Sequence, residues 1–339
     1  AFSASGIQDE QQLVADITMN VISQFATPTI TVEEIQDLVE KSLMKVRPEV
    51  AKKYIIYREW RNTERDKKTQ MKQVMDGIVA IDKNDVNLSN ANMSSHTPAG
   101  QMMTFASEVT KDYTYKYLLP KRFAEAHQLG DIHIHDLDYY PTKTTTCIQY
   151  DMDDLFERGF RTKNGSIRTP QSIQSYATLA TIIFQTNQNE QHGGQAIPAF
   201  DFYLAPYVRN SFIEEVKVLE EITGEDYKHL YHFPIKDYVR IELDGLSGDE
   251  RVLQHAINRT VSRVHQSMEA FIHNMNTIHS RAGNQVVFSS VNYGTDTSAE
   301  GRCIIREMLT STYRGVGSGG TAIFPIQIWK KKRGVNYLP

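Results

Sequence analysis

The feature that most constrains the fold is a change of hydrophobic period at one glycine. Lys121 to Leu129 reads as a short helix, and Gly130 is the residue type that a helix end often needs in the left-handed region. Ile132, His133, Ile134 and His135 then alternate with the period of a strand, which predicts isoleucines on one face and imidazoles on the other. Helix, glycine, strand is the rhythm of an α/β architecture. Asp136 and Asp138 follow at once, and Thr144-Thr145-Thr146 carries the chain to Cys147, one of two cysteines. A thiol thus lies a short loop away from two imidazoles and two carboxylates.

Taken singly, these residues have ordinary explanations. Alternate histidines on a half-exposed strand usually serve as satisfied polar residues, and a lone cysteine usually packs. Density separates this stretch from that background. His, Asp, Thr and Cys crowded together, with Tyr139 and Tyr140 beside them, are costly to bury unless they pair with one another or face a polar ligand.

With 339 residues, 40% of them hydrophobic and 23% charged, the chain can bury a sizeable core and is expected to form two domains. A net charge of -4 argues against a general nucleic-acid binder, so a nucleotide partner is expected to be small. No apolar run approaches a membrane span, and the first residues lack a signal-peptide pattern. Two distant cysteines give neither a disulfide framework nor a CxxC metal pair, which suits a reducing cytoplasm. A start at Ala1 and an end at Leu338-Pro339, just after what reads as an interior strand, suggest a piece of a longer protein.

Two blocks carry a family likeness. The run Gly130-Asp131-Ile132-His133-Ile134-His135-Asp136-Leu137-Asp138-Tyr139-Tyr140-Pro141, followed by Thr144-Thr145-Thr146-Cys147, resembles the signature of anaerobic (class III) ribonucleoside-triphosphate reductases, which are glycyl-radical enzymes. Asn189-Glu190-Gln191-His192-Gly193-Gly194-Gln195-Ala196, with Pro198-Ala199-Phe200-Asp201, is similar to that family's next block. The likeness runs from near Asn20 to the end of the chain. Residues 31–41 and 50–58 resemble the C-terminal part of an ATP-cone, without the basic, glycine-containing hairpin that precedes it in the family. The resemblance therefore implies residues 1–72 as a partial, helical ATP-cone regulatory domain. Residues 73–339 become the N-terminal part of a catalytic ten-stranded α/β barrel of the ribonucleotide reductase/pyruvate formate-lyase type.

The same resemblance assigns roles. Cys147 matches the active-site cysteine that donates hydrogen to the 2′ carbon as water leaves. His133, His135 and Asp136 are candidates for proton transfer or for shaping the pocket. Asn90, Asn92, His192, Gly193 and Gly194 are implied on the substrate side, and Glu157, Arg158 and Lys163 near a deoxynucleotide effector. The adjacent glycines also permit close backbone approach, while the missing Gly-Lys-Ser/Thr disfavours a Walker-type site. The family's thiyl-forming cysteine, glycyl radical loop and zinc site are expected beyond Pro339, so the segment alone is predicted inactive, and no metal site is expected within it. Ribonucleoside triphosphates are the implied substrates, ATP and deoxynucleotides the effectors, and formate the reductant. A radical-SAM activating enzyme and a second copy of the chain are the implied partners, the homodimer interface falling around the helix after Thr169-Pro170. Two rivals are another glycyl-radical enzyme of the pyruvate formate-lyase type and a non-catalytic nucleotide-sensing regulator.

Elsewhere the patterns predict helices and strands directly. Leu13, Ile17, Val21 and Ile22 mark a first helix. Thr31 with Glu34 has capping-box spacing for a second, and Pro48 opens a third with Ala51, Tyr54, Ile55 and Trp60 inward. Residues 58–72, crowded with charge, read as a solvated helix end, and 77–81 as a short strand. Met102, Phe105, Val109, Tyr113 and Tyr117 stripe a helix opened by Thr97-Pro98, and Thr169-Pro170 repeats the device. Further helices are predicted over 201–223, 249–282 (closed by Gly283) and after Ser298, where Cys303 packs. Strands are predicted at 286–291 and 322–329, the latter at an edge because of Pro325.

Overall fold

The structure is a computed structural model that describes residues 11–24, 30–66, 70–80, 97–162, 165–281, 285–317 and 319–338. The chain divides into two compact units, Ala1–Ala80 and Ile81–Pro339.

In the first unit α1 (Gln11–Ser23), α2 (Val32–Val46), α3 (Pro48–Asp66) and α4 (Gln70–Val79) follow one another. The capping box forms as its spacing predicts. Glu34 N donates to Thr31 Oγ1 at 3.2 Å, and Thr31 N donates to the Glu34 carboxylate at 2.8 Å. Ile17, Val21, Leu43, Val50 and Ala51 make a small core with Tyr54 packed against it. Trp60 and Ile55 do not join it: both are exposed. Arg58 departs from its solvated reading. Its guanidinium reaches three carboxylates one or two turns apart on α2, Glu33, Asp37 (2.8 Å) and Glu40 (2.8 Å), and this holds the guanidinium well above its ordinary pKa. Residues 77–79 of the strand predicted over 77–81 are instead the end of α4, with Ile78 buried, and Ile81 lies outside the described residues. A five-residue apolar run has no period of its own and takes the helix that precedes it.

The second unit opens with α5 (Pro98–Tyr113), capped by Thr97, whose hydroxyl accepts from Gly100 N at 3.0 Å. It runs through a π turn (Thr114–Leu118) into α6 (Lys121–Leu129). The predicted apolar stripe is not the buried face. Met102, Val109, Tyr113 and Tyr117 are exposed, whereas Gly100, Ser107 and Thr114 are buried.

Past Cys147 the α/β alternation begins: β1 (Ile148–Gln149), α7 (Met152–Arg158), a hairpin of β2 (Phe160–Thr162) and β3 (Gly165–Ile167), α8 (Ile173–Asn187), β4 (Gln195–Ile197), α9 (Phe200–Thr223), α10 (Gly248–Thr277), β5 (Ser289–Tyr293), α11 (Ala299–Arg314) and β6 (Ile326–Trp329). Among the described residues β1, β4, β5 and β6 form a four-stranded parallel sheet in the order β1-β4-β5-β6, with β6 at an edge. Helices α8 to α10 build the core through Tyr176, Phe184, Phe200, Phe212, Met268 and Phe271, all essentially without exposure. In β5, Ser289, Val291 and Tyr293 are buried while Ser290 and Asn292 are half-buried, so the strand's two faces differ in burial.

One helix start differs from expectation. Ser172, not Thr169-Pro170, caps α8, exchanging hydrogen bonds with Ser175. Ser298 caps α11 as predicted, with Gly301 N donating to its hydroxyl at 3.0 Å. The helix predicted over 249–282 ends at Thr277, and Gly283 lies outside the described residues.

Candidate functional site

The His133–His135 segment is not a strand. Gly130 does take the left-handed conformation (φ 84) that ends α6, but the chain then folds back on that helix. Asp131 N donates to Ala126 O at 2.9 Å, and Ile134 N donates to Nδ1 of His127 at 3.1 Å. An imidazole one helical turn upstream thus captures the backbone group that a neighbouring strand would need. The alternation of faces fails with it, since Ile132 is exposed, like His133 and His135.

Asp136 turns the loop. Its φ of 50 is unusual for a residue other than glycine, although aspartate tolerates it better than most. Leu137 is buried as the loop's anchor, and Ser107 of α5 donates to Asp138 Oδ2 at 2.7 Å, which accounts for the polar face that α5 buries. The turn presents Asp136 Oδ2 to two imidazoles: Nδ1 of exposed His135, and Nε2 of buried His192 at 3.3 Å. His133 reaches neither. Its ring sits edge-on to His135 at 5.9 Å and tilted to His127 at 5.3 Å.

Three hydrogen bonds join this loop to the segment before β4. Thr144 Oγ1 donates to Glu190 O at 3.0 Å, His192 N to Thr145 O at 3.2 Å, and Ile148 N to Gly194 O at 3.1 Å. They bring Cys147 against the paired glycines. A Cβ on Gly193 would lie 3.2 Å from Cys147 Sγ, and one on Gly194 would lie 3.9 Å from it. Gly193 also has φ 88, so glycine is required there twice over. Cys147 is exposed; Cys303, in α11, has no exposure, and burial pushes its thiol up to about 12. Cys303 therefore packs, as its place in an apolar helix predicts.

The remaining sequence candidates separate. Glu157 and Arg158 stand exposed on α7, where Arg158 pairs with Asp154 at 2.8 Å in the same helix. Asn90, Asn92 and Lys163 lie outside the described residues. Among those residues, no group of three or more His, Cys, Asp or Glu is arranged to hold a metal ion.

Some of what surrounds the site lies outside the motif blocks. Tyr139 stacks on His192, ring centroids 4.7 Å apart, and Arg281, far along the chain, lies over the Tyr139 ring at 5.7 Å. A cavity of about 320 Å³ opens beside them, lined in part by Met103, Thr142, Thr144, Asn189 and Gln191. Gln191 Oε1 and His192 Nδ1 are buried without a hydrogen-bond partner among the described residues, which is costly where a site is meant only to pack. Tyr139 and the Asn189–His192 run belong to the two motif blocks, whereas Met103 and Arg281 had no sequence signal.

Comparison with known proteins gives a consistent answer. The family described as anaerobic ribonucleoside-triphosphate reductase matches residues 89–339, and the ATP cone domain matches residues 1–63. The anaerobic ribonucleoside-triphosphate reductase of Haemophilus influenzae is 29% identical over 99% of this chain and 45% of its own length. That of Escherichia coli is 29% identical over 91% of this chain and 40% of its own. The enterobacteria phage T4 protein of the same name is 28% identical over 77% and 39%. The chain thus spans less than half the length of the curated relatives it matches. Among solved structures, the anaerobic ribonucleotide reductase from Thermotoga maritima, with citrate in the active site, matches 77% of this chain and 45% of that chain at 13% identity and a TM-score of 0.43. On the match to most of its length, together with the cone at its N-terminal end, this chain belongs to the anaerobic ribonucleoside-triphosphate reductase family.

Proposed function

We propose that this chain forms the hydrogen-donating side of an active site that reduces ribonucleoside triphosphates to deoxyribonucleoside triphosphates. Breaking the unactivated 2′ C–O bond is poorly suited to polar catalysis, and radical chemistry avoids this by first removing the 3′ hydrogen. Cys147 is then the thiol whose hydrogen replaces the 2′ hydroxyl as that group leaves as water. The observation that carries the reading is an exposed thiol set on two glycines, within the same loop system as a carboxylate shared by two imidazoles. Small residues beneath the sulfur leave room for a sugar above it. The Asp136, His135 and His192 cluster is suited to exchanging protons with the ligand hydroxyls, and the cavity wall of Asn189, Glu190 and Gln191 to recognising the rest of the nucleoside.

The other parts of the reaction follow the family. A glycyl radical, made by a radical-SAM activating enzyme, supplies the first hydrogen abstraction through a second cysteine, and formate supplies the reducing equivalents. The zinc site belongs with that radical-bearing part. ATP and deoxynucleotides regulate through the cone at residues 1–72 and through the dimer of the unit from residue 73 onward, with Glu157 and Arg158 as effector contacts. This chain is expected to show no turnover by itself, because the chemistry needs two thiols facing one sugar and Cys303 is sealed in α11.

Alkylation of Cys147 tests the reading. A mixture of the four ribonucleoside triphosphates is expected to slow the reaction, and inorganic triphosphate is not. Equal rates with and without nucleotide would remove Cys147 from the substrate site.

A further inference from the structure

Arg281 lies between α10 and β5, outside every motif of the sequence, yet its guanidinium holds the wall behind Cys147. Nε donates to Gln188 O at 2.9 Å, and Nη2 donates to Gln188 O and Gln191 O. Nη1 donates to Gln285 Oε1 at 2.7 Å and, more weakly, to the Tyr139 hydroxyl at 3.4 Å. Three separate stretches of chain meet on one planar cation: the Asp136–Cys147 loop, the Gln188–Gly194 loop and the lead into β5.

Neighbouring bonds repeat the link. Ser280 Oγ donates to Gln185 O at 2.8 Å, and the Gln188 amide donates to Gln285 O at 3.1 Å and Val286 O at 3.2 Å. Gln188, Gln191 and Gln285 are all buried, so a carbonyl or amide that lost Arg281 would lose a partner at a cost. The loop it fixes carries His192 against Tyr139, and Gly193 against the sulfur of Cys147. A guanidinium with each side of its fork committed in this way is ill-suited to bind a phosphate, the usual expectation for an arginine beside a nucleotide site.

We propose that Arg281 is a positioning residue for Cys147: by clamping the Gln188–Gln191 loop to Tyr139 and Gln285, it fixes the glycine surface on which the thiol rests. The proposal deepens the reading of Cys147 as the reacting group. A lysine cannot replace Arg281, since an ammonium is a point donor and the acceptors here are spread along a planar fork.

The test is the rate at which an uncharged alkylating reagent modifies Cys147 in the 339-residue chain, with Cys303 as an internal control because it has no exposure. In Arg281→Lys and Arg281→Ala, Cys147 is expected to react several-fold faster while Cys303 stays unreactive. Low concentrations of guanidinium ion are expected to restore the parent rate to Arg281→Ala, whereas an alkylammonium ion of similar size does not. A folded variant whose Cys147 rate is unchanged overturns the proposal. So does one in which Cys303 becomes reactive in step, since Arg281 would then be holding the core. Should both variants fail to fold, Tyr139→Phe and Gln285→Ala each remove one acceptor: a smaller increase in the Cys147 rate supports the clamp, and no change overturns it. Because the readout is thiol chemistry without nucleotide, the clamp can stand where nucleotide protection of Cys147 fails, and can fall where it succeeds.

Discussion

The helical unit and the α/β unit hold together in different ways. The first has a core of Ile17, Val21, Leu43, Val50 and Ala51, contributed by three consecutive helices, with one arginine tying α3 to the acidic face of α2. The second buries large aromatic side chains from α8, α9 and α10 around a parallel sheet, and also buries polar groups at the site. A small core built from neighbours in sequence depends on caps and ion pairs, whereas a large core of distant elements can carry strained and unsatisfied groups.

Four substitutions bear on that contrast, and the two tryptophans help to read them, since Trp60 is in α3 and Trp329 in β6. The largest effect is expected from Phe271→Ala, which removes a ring packed near Phe184 and Phe200 and should cost about 4 kcal/mol. Denaturant unfolding followed at Trp329 checks it, and a loss below about 1 kcal/mol would show that the core repacks readily. Leu43→Ala should cost about 3 kcal/mol, smaller in absolute terms but a larger share of so small a core. The transition reported by Trp60 should move to lower denaturant.

Gly193→Ala comes next. The new Cβ would meet Cys147 Sγ at 3.2 Å and Thr146 C at 3.3 Å, in a backbone conformation that side chains rarely adopt. A cost of about 2 kcal/mol is expected, with an altered Cys147 alkylation rate. If stability and thiol reactivity both stay at parent values, the glycine surface is not what shapes the site.

Thr31→Ala is expected to have the smallest effect, about 1 kcal/mol, through loss of the cap on α2. It also has a pH signature. The Thr31 backbone N–H and hydroxyl hold the Glu34 carboxyl below its ordinary value in the folded chain. That contribution is present above the unfolded carboxyl's pKa and is lost as pH falls through the folded one. Acid titration of helicity should therefore show a dependence that Glu34→Gln removes and that Thr31→Ala, which keeps the backbone N–H, only weakens.

Much of this architecture is legible in the residues. The caps at Thr31, Thr97 and Ser298, the left-handed Gly130, and the burial of Cys303 beside an exposed Cys147 all follow from local chemistry. Periodicity failed where a nearby partner outcompeted it. The Ile-His-Ile-His alternation promised a strand, but His127 took the Ile134 amide first. The stripe of α5 promised burial for Met102, Val109 and Tyr113, but Asp138 drew the Ser107 face inward. Hydropathy records which side chains avoid water and is silent about which backbone group a distant side chain will claim.

Local propensity and motif sufficed for the α/β class, the capped helices and the family, because each depends on residues within a few positions of one another. Tertiary structure alone decided that one carboxylate serves His135 and His192, and that Arg281 closes the wall behind Cys147. The contacts to His192 and Gln188 join positions tens of residues apart, and no pattern of short period can encode where two such segments will meet.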